Sequence, residues 1–403
     1  MNKEQINNNT SEVNRILVIS LFLIIILLTF FKCDDILIID TDDSWTLLSD
    51  STSKYSLSVK VTRNLLFLEH VYSWESLQAS DIVIGTKRYS GDIYLSENLG
   101  EDYNLVFSSD TVKWMRCFTT ESKRHILWEE LDSTIWLFTP EWDVIKSIKT
   151  GGYSWLGNWS IGESKGVIIY AEYGGNVDHF SVWRSEDDGE SWQKVFTKKA
   201  RGSNESEIRH FHVVQPDPYY PGTWYLSSGD APYECMIWKS EDDGLTWKDV
   251  TDPNPNGAKT QDVHRFTAMF FDEKYLYWGT DDELDGNAVF VRAERTEPLD
   301  VEVIDNLENL VRALVNTPYG LIFISEQKEY RDGKLVDLTI HISPDYKNAI
   351  ELYRLSDPTG VRTGLCFSRA SIASKGNIFF SYFDGSKIIK GPPGIMKWKI
   401  EVR

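Results

Sequence analysis

Ser185-Glu186-Asp187-Asp188-Gly189-Glu190-Ser191-Trp192 returns almost letter for letter as Ser240-Glu241-Asp242-Asp243-Gly244-Leu245-Thr246-Trp247, 55 residues later. In both copies Asp and Gly stand at the offsets of a tight turn. The carboxylate can cap backbone N–H groups there, and Gly takes positive φ without a Cβ clash. Ser can close the turn, and Trp can pack beneath it. Short apolar runs flank each copy: residues 180–183 and 193–196 around the first, 236–238 and 248–250 around the second. The pattern predicts a hairpin turn between two strands, with a structural role.

Weaker relatives of this turn phase the rest of the chain. Ser96-Glu97-Asn98-Leu99-Gly100-Glu101-Asp102-Tyr103 keeps Ser, an Asx residue, Gly and a terminal aromatic, and Ser343-Pro344-Asp345-Tyr346 keeps the first half. Fainter equivalents fall near Thr139, Arg292 and Gly391. The starts at 96, 139, 185, 240, 292, 343 and 391 are separated by 43, 46, 55, 52, 51 and 48 residues. A period of about 40–55 residues is the length of a four-stranded propeller blade. The expected fold is therefore all-β: a β-propeller of seven blades, or six if the faintest copies are dropped. An outer strand from residues 36–39 or 55–61 would close the ring. An aromatic content of 13%, with 15 Trp, suits heavily packed sheets.

The duplicated turn resembles that of the Asp-box, or BNR-repeat, proteins of the sialidase-like propeller superfamily. The residues that carry the resemblance are Ser185, Asp187, Gly189 and Trp192, then Ser240, Asp242, Gly244 and Trp247. It implies that they lie between the outer strands of a blade, away from the funnel where ligands bind. Fold analogy of this kind supplies no activity. A sialidase sets three arginines on its substrate's carboxylate, beside a Tyr–Glu pair, and carries Arg-Ile-Pro on its first blade. Here Arg-Ile-Pro is absent, the nearest arginine being Arg63 in Val61-Thr62-Arg63-Asn64, while Glu172-Tyr173 falls at a loop that can face a funnel.

Residues 16–31 contain only Ser20 and Thr29 as polar positions. Their length and the bulky Phe30-Phe31-Lys32 before Cys33 suit an uncleaved signal anchor better than a cleaved signal. The expected organisation is a disordered tail over 1–14, a transmembrane anchor over 15–33 and one propeller domain over 34–403. Arg15 before the segment and Asp34 and Asp35 after it orient the propeller outside the cytoplasm. Lys+Arg 42 against Asp+Glu 61 gives a net charge of −19, which excludes a general nucleic-acid binder. A monomer is expected. Cys33, Cys117, Cys235 and Cys366 have no metal-site spacing. No disulfide framework stands out, and a single Cys117–Cys235 or Cys235–Cys366 bridge is compatible with the spacing.

Phasing the blades gathers chemistry at one end of the ring. The starts of the innermost strands collect Arg116, Arg209, His210, His212, His264, Arg265, Arg312 and Arg362. The ends of the second strands collect Glu172, Tyr173, Asp230 and Asp281. Arginines grouped in a chain of charge −19 suit bidentate recognition of a carboxylate or sulfate. The bland alternative is a salt-bridge network between neighbouring blades, with the histidines bonded to backbone carbonyls. Strand alternation puts His210 and His212 on one side of the sheet, where such a pair can act as an acid–base couple or hold a metal.

The expected function is recognition of a carbohydrate or other anionic ligand by Arg116, Arg209, His264, Arg265, Arg312, Arg362 and Asp281. Its enzymatic form would be glycoside hydrolysis or uronate elimination, with His210, His212, Tyr173, Glu172 and Asp230 as candidate catalytic groups. The competing class is a non-catalytic protein-interaction scaffold. No metal and no other cofactor is expected. Phosphate-loop, G-x-S-x-G and H-E-x-x-H patterns are absent.

Overall fold

The strands Val167–Ala171 and Trp224–Gly229 are buried along nearly their whole length and do not alternate buried with exposed. Continuous burial marks strands covered on both faces. The outer strand Val144–Lys149 is largely exposed. The same gradient, from a buried first strand to an exposed fourth, runs from His210–Pro216 to Lys248–Asp249. A computed structural model of the chain describes residues 45–49, 56–66, 71–76, 377–382, 394–402 and most of 82–355, with breaks such as 153–158, 201–206, 282–287 and 326–329.

The described residues form seven four-stranded antiparallel sheets and one small hairpin, Tyr330–Arg331 with Lys334–Leu335. Six of the sheets are consecutive meanders, over residues 71–107, 114–149, 161–199, 210–249, 270–307 and 311–355. The seventh joins the chain's ends. Ser56–Leu66 pairs antiparallel with Gly394–Val402, which pairs with Asn377–Tyr382, and Trp45–Ser49 pairs with the far side of Ser56–Leu66. Two N-terminal strands therefore complete this sheet, where the sequence suggested one. The stretch near Gly391 accordingly comes between the first two strands of its sheet, which corrects its assignment as a third-to-fourth-strand turn.

Apolar clusters lie between successive sheets. Ile84 and Ile93 meet Trp114, Leu127 and Phe138. Ile126, Trp128 and Ile135 meet Ile168 and Tyr170. Ile169 and Val182 meet Phe211, Val214 and Trp224, and Val213 and Tyr225 meet Leu276, Trp278 and Phe290. Burial of side chains this size, at roughly 1.5–3 kcal/mol each, makes face-to-face packing of sheets the main source of stability. Cys117 and Cys235 are both buried and unbridged, which removes the Cys117–Cys235 disulfide. Cys33 and Cys366 lie outside the described residues, as do residues 16–31. Among the described residues no helix is long and apolar enough to cross a membrane.

The two repeated turns join third to fourth strands, His179–Ser185 to Gln193–Lys199 and Ile237–Ser240 to Lys248–Asp249. In each, the Ser Oγ donates to the Asp Oδ1 at 2.8 Å and accepts from the Gly N–H at 2.9 Å. Asp187 Oδ1 accepts from the Ser191 N–H at 2.7 Å, and Asp242 Oδ1 from that of Thr246 at 2.9 Å. Gly189 and Gly244 have φ of 85° and 81°, and the preceding Asp188 and Asp243 are left-handed too, at 59° and 55°. A Cβ on Gly244 would stand 2.1 Å from Ile169 Cδ1, and one on Gly189 would stand 3.3 Å from Ile126 and Leu137. Each turn is thus pressed onto the preceding sheet. Arg184 Nε tightens one such contact by donating to the Asp243 carbonyl at 2.6 Å. The weak copy at Ser96 keeps the geometry, with Ser96 Oγ donating to Asn98 Oδ1 at 2.9 Å and the Asp102 N–H donating to the same atom at 3.1 Å.

Candidate functional site

In the fourth sheet Pro216, Trp224 and Ser240 lie in register at the end that carries the Ser-x-Asp turn. His210 pairs with Gly229 at the opposite end. The register shifts between Phe211 and Val214, so His212 and Val213 together face Ser227. The Val213 N–H takes the Ser227 Oγ as its acceptor, at 3.2 Å. A bulge of this kind bends a strand and re-aims its side chains. Phe211 and Val214 turn toward the third sheet and Val213 toward the fifth, leaving both imidazoles directed at Asp230. Similar shifts occur at the start of the innermost strand in the sheets holding Arg116 and Arg312.

Asp230 follows the second strand and is fixed by the loop behind it. A short 3-10 turn, Pro232–Glu234, returns the Glu234 carboxylate to the Ala231 N–H at 3.3 Å. Ser228 Oγ donates to the Glu234 carbonyl at 2.5 Å. The Asp230 side chain, 12% exposed, then meets four groups. Arg209 Nη1 lies 2.6 Å from Oδ2 and Arg265 Nη2 lies 3.4 Å from Oδ1. His210 Nε2 is 3.4 Å from Oδ2, and His212 Nε2 is 3.5 Å from Oδ1. Arg265 Nη1 also donates to the Asp230 carbonyl at 3.3 Å, and its Nε lies 3.8 Å from Asp281 Oδ2. Exposure falls steeply inward, from 54% for the Arg209 side chain to 7% for His210 and 1% for His212.

The segment before the fifth sheet supplies the floor. A 3-10 turn, Gln261–His264, is followed by Arg265 and Phe266, and the Phe266 carbonyl meets His212 Nδ1 at 3.0 Å. Phe266 is held by stacking on Trp278, with centroids 4.9 Å apart, and Trp278 Nε1 donates to the Val263 carbonyl at 2.7 Å. Of the apolar run 266–271, only Phe270–Phe271 forms a strand. Ahead of it, the Arg265 N–H donates to the Asp262 carbonyl at 2.8 Å and the Phe266 carbonyl is taken by His212. Tyr173, half-buried, stacks on His210 at 3.8 Å between centroids. Tyr233, in the loop after Asp230, is 67% exposed.

The electrostatics follow from burial. Loss of hydration lowers the His210 pKa to about 4 despite the neighbouring carboxylate, so the ring is neutral at pH 7. For Asp230 burial works in the raising direction, but it is outweighed by the imidazoles facing the carboxylate, which hold it far below the ordinary range. His212 Nδ1–H must be the donor in its contact with Phe266, because a carbonyl can only accept. Its Nε2 consequently points toward Asp230 Oδ1, 3.5 Å away. The His210 Nε2 is buried and makes no hydrogen bond.

Not every sequence candidate joins this cluster. His210, His212, Asp230, Arg209 and Arg265 do, with Tyr173 stacked beside them and Asp281 behind Arg265. Glu172 is fully buried, and its carboxylate accepts from the Gly152 N–H, Trp183 Nε1 and the Ser181 N–H at 2.9, 2.7 and 2.8 Å. Those bonds tie its sheet together. Arg116 is buried in the second sheet, and His264 is buried at the end of its 3-10 turn. Arg312 lies on the strand Val311–Thr317, but its side chain is outside the described set, as is all of Arg362. Phe266 was not foreseen as a site residue, since a carbonyl leaves no mark in sequence. Gly229 was missed too, although a lone Gly ending an apolar strand is a signal of close approach.

No protein-family model matches the chain, and no curated protein matches it in sequence. Solved structures do resemble it. One is the WD40 β-propeller domain of Doa1, with a TM-score of 0.52 and 13% identity over 82% of this chain and 92% of that one. Catalytically inactive virginiamycin B lyase from Staphylococcus aureus with quinupristin aligns with a TM-score of 0.55 and 12% identity, covering 84% and 99%. YCF48 from Cyanidioschyzon merolae gives 0.53 and 11%, covering 84% and 98%. At these identities the likeness concerns the fold alone, and that fold, as the stacked four-stranded sheets already indicated, is a β-propeller.

Proposed function

We propose that this chain is a seven-bladed, Asp-box type propeller that recognises a carbohydrate or other anionic ligand at the Asp230 cluster. Residues 16–31 would anchor it with the propeller outside the cytoplasm. The observation that carries the reading is the convergence of two guanidinium and two imidazole groups on the Asp230 carboxylate. It lies at the sheet end opposite the structural turns. Here the outermost partner, Arg209, is more than half exposed and can exchange Asp230 for a ligand carboxylate or sulfate. Tyr233 adds an exposed aromatic face of the kind that sugar rings stack on. His210, a neutral base beside guanidinium groups, also matches the needs of proton abstraction next to a neutralised carboxylate.

The test uses the full-length chain in mild detergent with a panel of sialylated and uronate-rich glycans. Binding and any released or unsaturated sugar are both followed. Binding that weakens about tenfold or more in Arg209→Ala, the loss of one charge-assisted hydrogen bond, supports the reading. No binding across the panel, or binding indifferent to Arg209, overturns it. A protein-interaction scaffold is the second reading, favoured by exposed Tyr219, Tyr220 and Leu245 at the opposite end of the fourth sheet.

A further inference from the structure

Three groups able to ligate a metal face one another inside the Asp230 cluster. One ring nitrogen of His210, one of His212 and a carboxylate oxygen of Asp230 all lie within 4.8 Å of one another. Arg209 and Arg265 approach the carboxylate, and no contact of theirs satisfies either imidazole. His210 Nε2, on a side chain 7% exposed, has no hydrogen-bond partner. His212 is held with Nε2 inward because its other nitrogen is bonded to the Phe266 carbonyl at 3.0 Å. A backbone acceptor on the far nitrogen is the usual way a metal-binding histidine is oriented.

We infer that His210 Nε2, His212 Nε2 and the Asp230 carboxylate bind one divalent transition-metal ion of the zinc class, leaving a coordination position for the ligand. The inference rests on reading this cluster as the functional site, and it departs from the sequence expectation of no metal. Donors on a tetrahedral zinc with bonds of about 2.0–2.1 Å stand about 3.3 Å apart. Each imidazole stands near that distance from its own carboxylate oxygen, His210 Nε2 at 3.4 Å from Oδ2 and His212 Nε2 at 3.5 Å from Oδ1, and the three ligand atoms lie within 4.8 Å of one another. Two imidazoles with one carboxylate suit zinc, iron or nickel, whereas magnesium and calcium favour all-oxygen sites. Arg265 and Arg209 then become hydrogen-bond partners of a ligating carboxylate, a common outer-shell arrangement. A metal with an open position strengthens the case for an anionic or hydroxylated ligand, since such groups coordinate directly.

Zinc(II) and cobalt(II) are the probes. The full-length chain in detergent is stripped with a chelator, returned to chelator-free buffer and titrated. We expect uptake of a single equivalent, with visible absorption from bound cobalt. His210→Gln and Asp230→Asn should each weaken uptake by about tenfold to a hundredfold. His179→Gln, on an exposed residue of the third sheet, should leave it unchanged. Tryptophan circular dichroism reports whether each variant has folded. X-ray absorption of the zinc-loaded wild type needs no variant and should show only nitrogen and oxygen donors, two of them imidazole. No stoichiometric uptake, uptake that survives both substitutions in folded protein, or sulfur in the zinc shell overturns the inference. Zinc uptake without glycan binding upholds the metal site and removes the carbohydrate reading. Glycan binding by stripped protein that takes up no metal does the reverse.

Discussion

Gly229 lies so close to His212 that a Cβ on it would stand 2.8 Å from the imidazole Cε1, and 3.2 Å from Arg265 Cγ. Its backbone pairs with His210, so one small residue sets the position of both histidines and one arginine. Gly229→Ala should push His212 away from Asp230. Overpacking of this kind costs about 1–3 kcal/mol, readable in urea denaturation. Zinc uptake should fall by about tenfold or more. An alanine variant that binds zinc as tightly as the wild type would show that the glycine serves the strand alone.

The repeated turns should behave in the opposite way. Asp187 and Asp242 each accept a Ser or Thr hydroxyl and a backbone N–H, far from the Asp230 cluster. Burial pushes these carboxyls up, but the bonds from Ser191 and Ser185, or Thr246 and Ser240, outweigh it and hold both below the usual range. Their contribution is therefore present above the ordinary carboxylate pKa and lost as pH falls through the depressed one. Asp187→Ala or Asp242→Ala should cost about 1–2 kcal/mol and leave ligand and zinc binding intact. Asp187→Asn should cost less, because Asn98 already makes the equivalent Oδ1 bonds. Thermal melts with parallel binding titrations separate the two effects.

The contrast between these regions explains what the sequence could disclose. Ser, Asp, Gly and Trp at fixed offsets satisfy their bonds within eight residues, so the turns and their period were visible in the chain itself. Alternation along one strand likewise put His210 and His212 together. Their convergence on Asp230, along with Arg209 and Arg265, depends on a bulge at His212–Val213 and on a loop packed behind Asp230. Both are products of tertiary packing. Glu172 was indistinguishable from Asp230 in sequence, since each ends a second strand. Only the amides of Gly152 and Ser181 and the Trp183 indole assign it to the fold.

A second buried carboxylate ties the fourth sheet to the fifth. Asp217, whose side chain is fully buried, takes Arg295 Nε at 2.7 Å and Nη2 at 3.2 Å, and Nη2 also reaches the Asp272 carbonyl. Removing one partner of a buried pair strands the other charge, which costs about 3–5 kcal/mol. Arg295→Ala should therefore unfold at markedly lower urea concentration. Arg295→Lys should recover only part of the loss, because an ammonium cannot span both carboxylate oxygens and the carbonyl. Equal stability of the lysine variant and the wild type would contradict the bidentate role.

Acid sensitivity should come in part from His125, in the second sheet. Its ring stacks on Trp142 at 3.9 Å between centroids and is tilted by only 6°, and Nδ1 lies 3.0 Å from Thr119 Oγ1. Burial lowers its pKa to about 4, against a smaller raising effect from the Pro140 backbone. The unfolded chain then binds a proton between pH 6.5 and 4 that the folded chain refuses, so stability must rise with pH across that window. A shift of this size corresponds to roughly 3 kcal/mol lost between neutral pH and pH 4. Urea denaturation of stripped protein at a series of pH values should show the slope. His125→Gln, which keeps a polar group beside Thr119 without a titrating ring, should flatten it by one proton's worth. If the slope is the same in the variant, His125 is not the group that titrates.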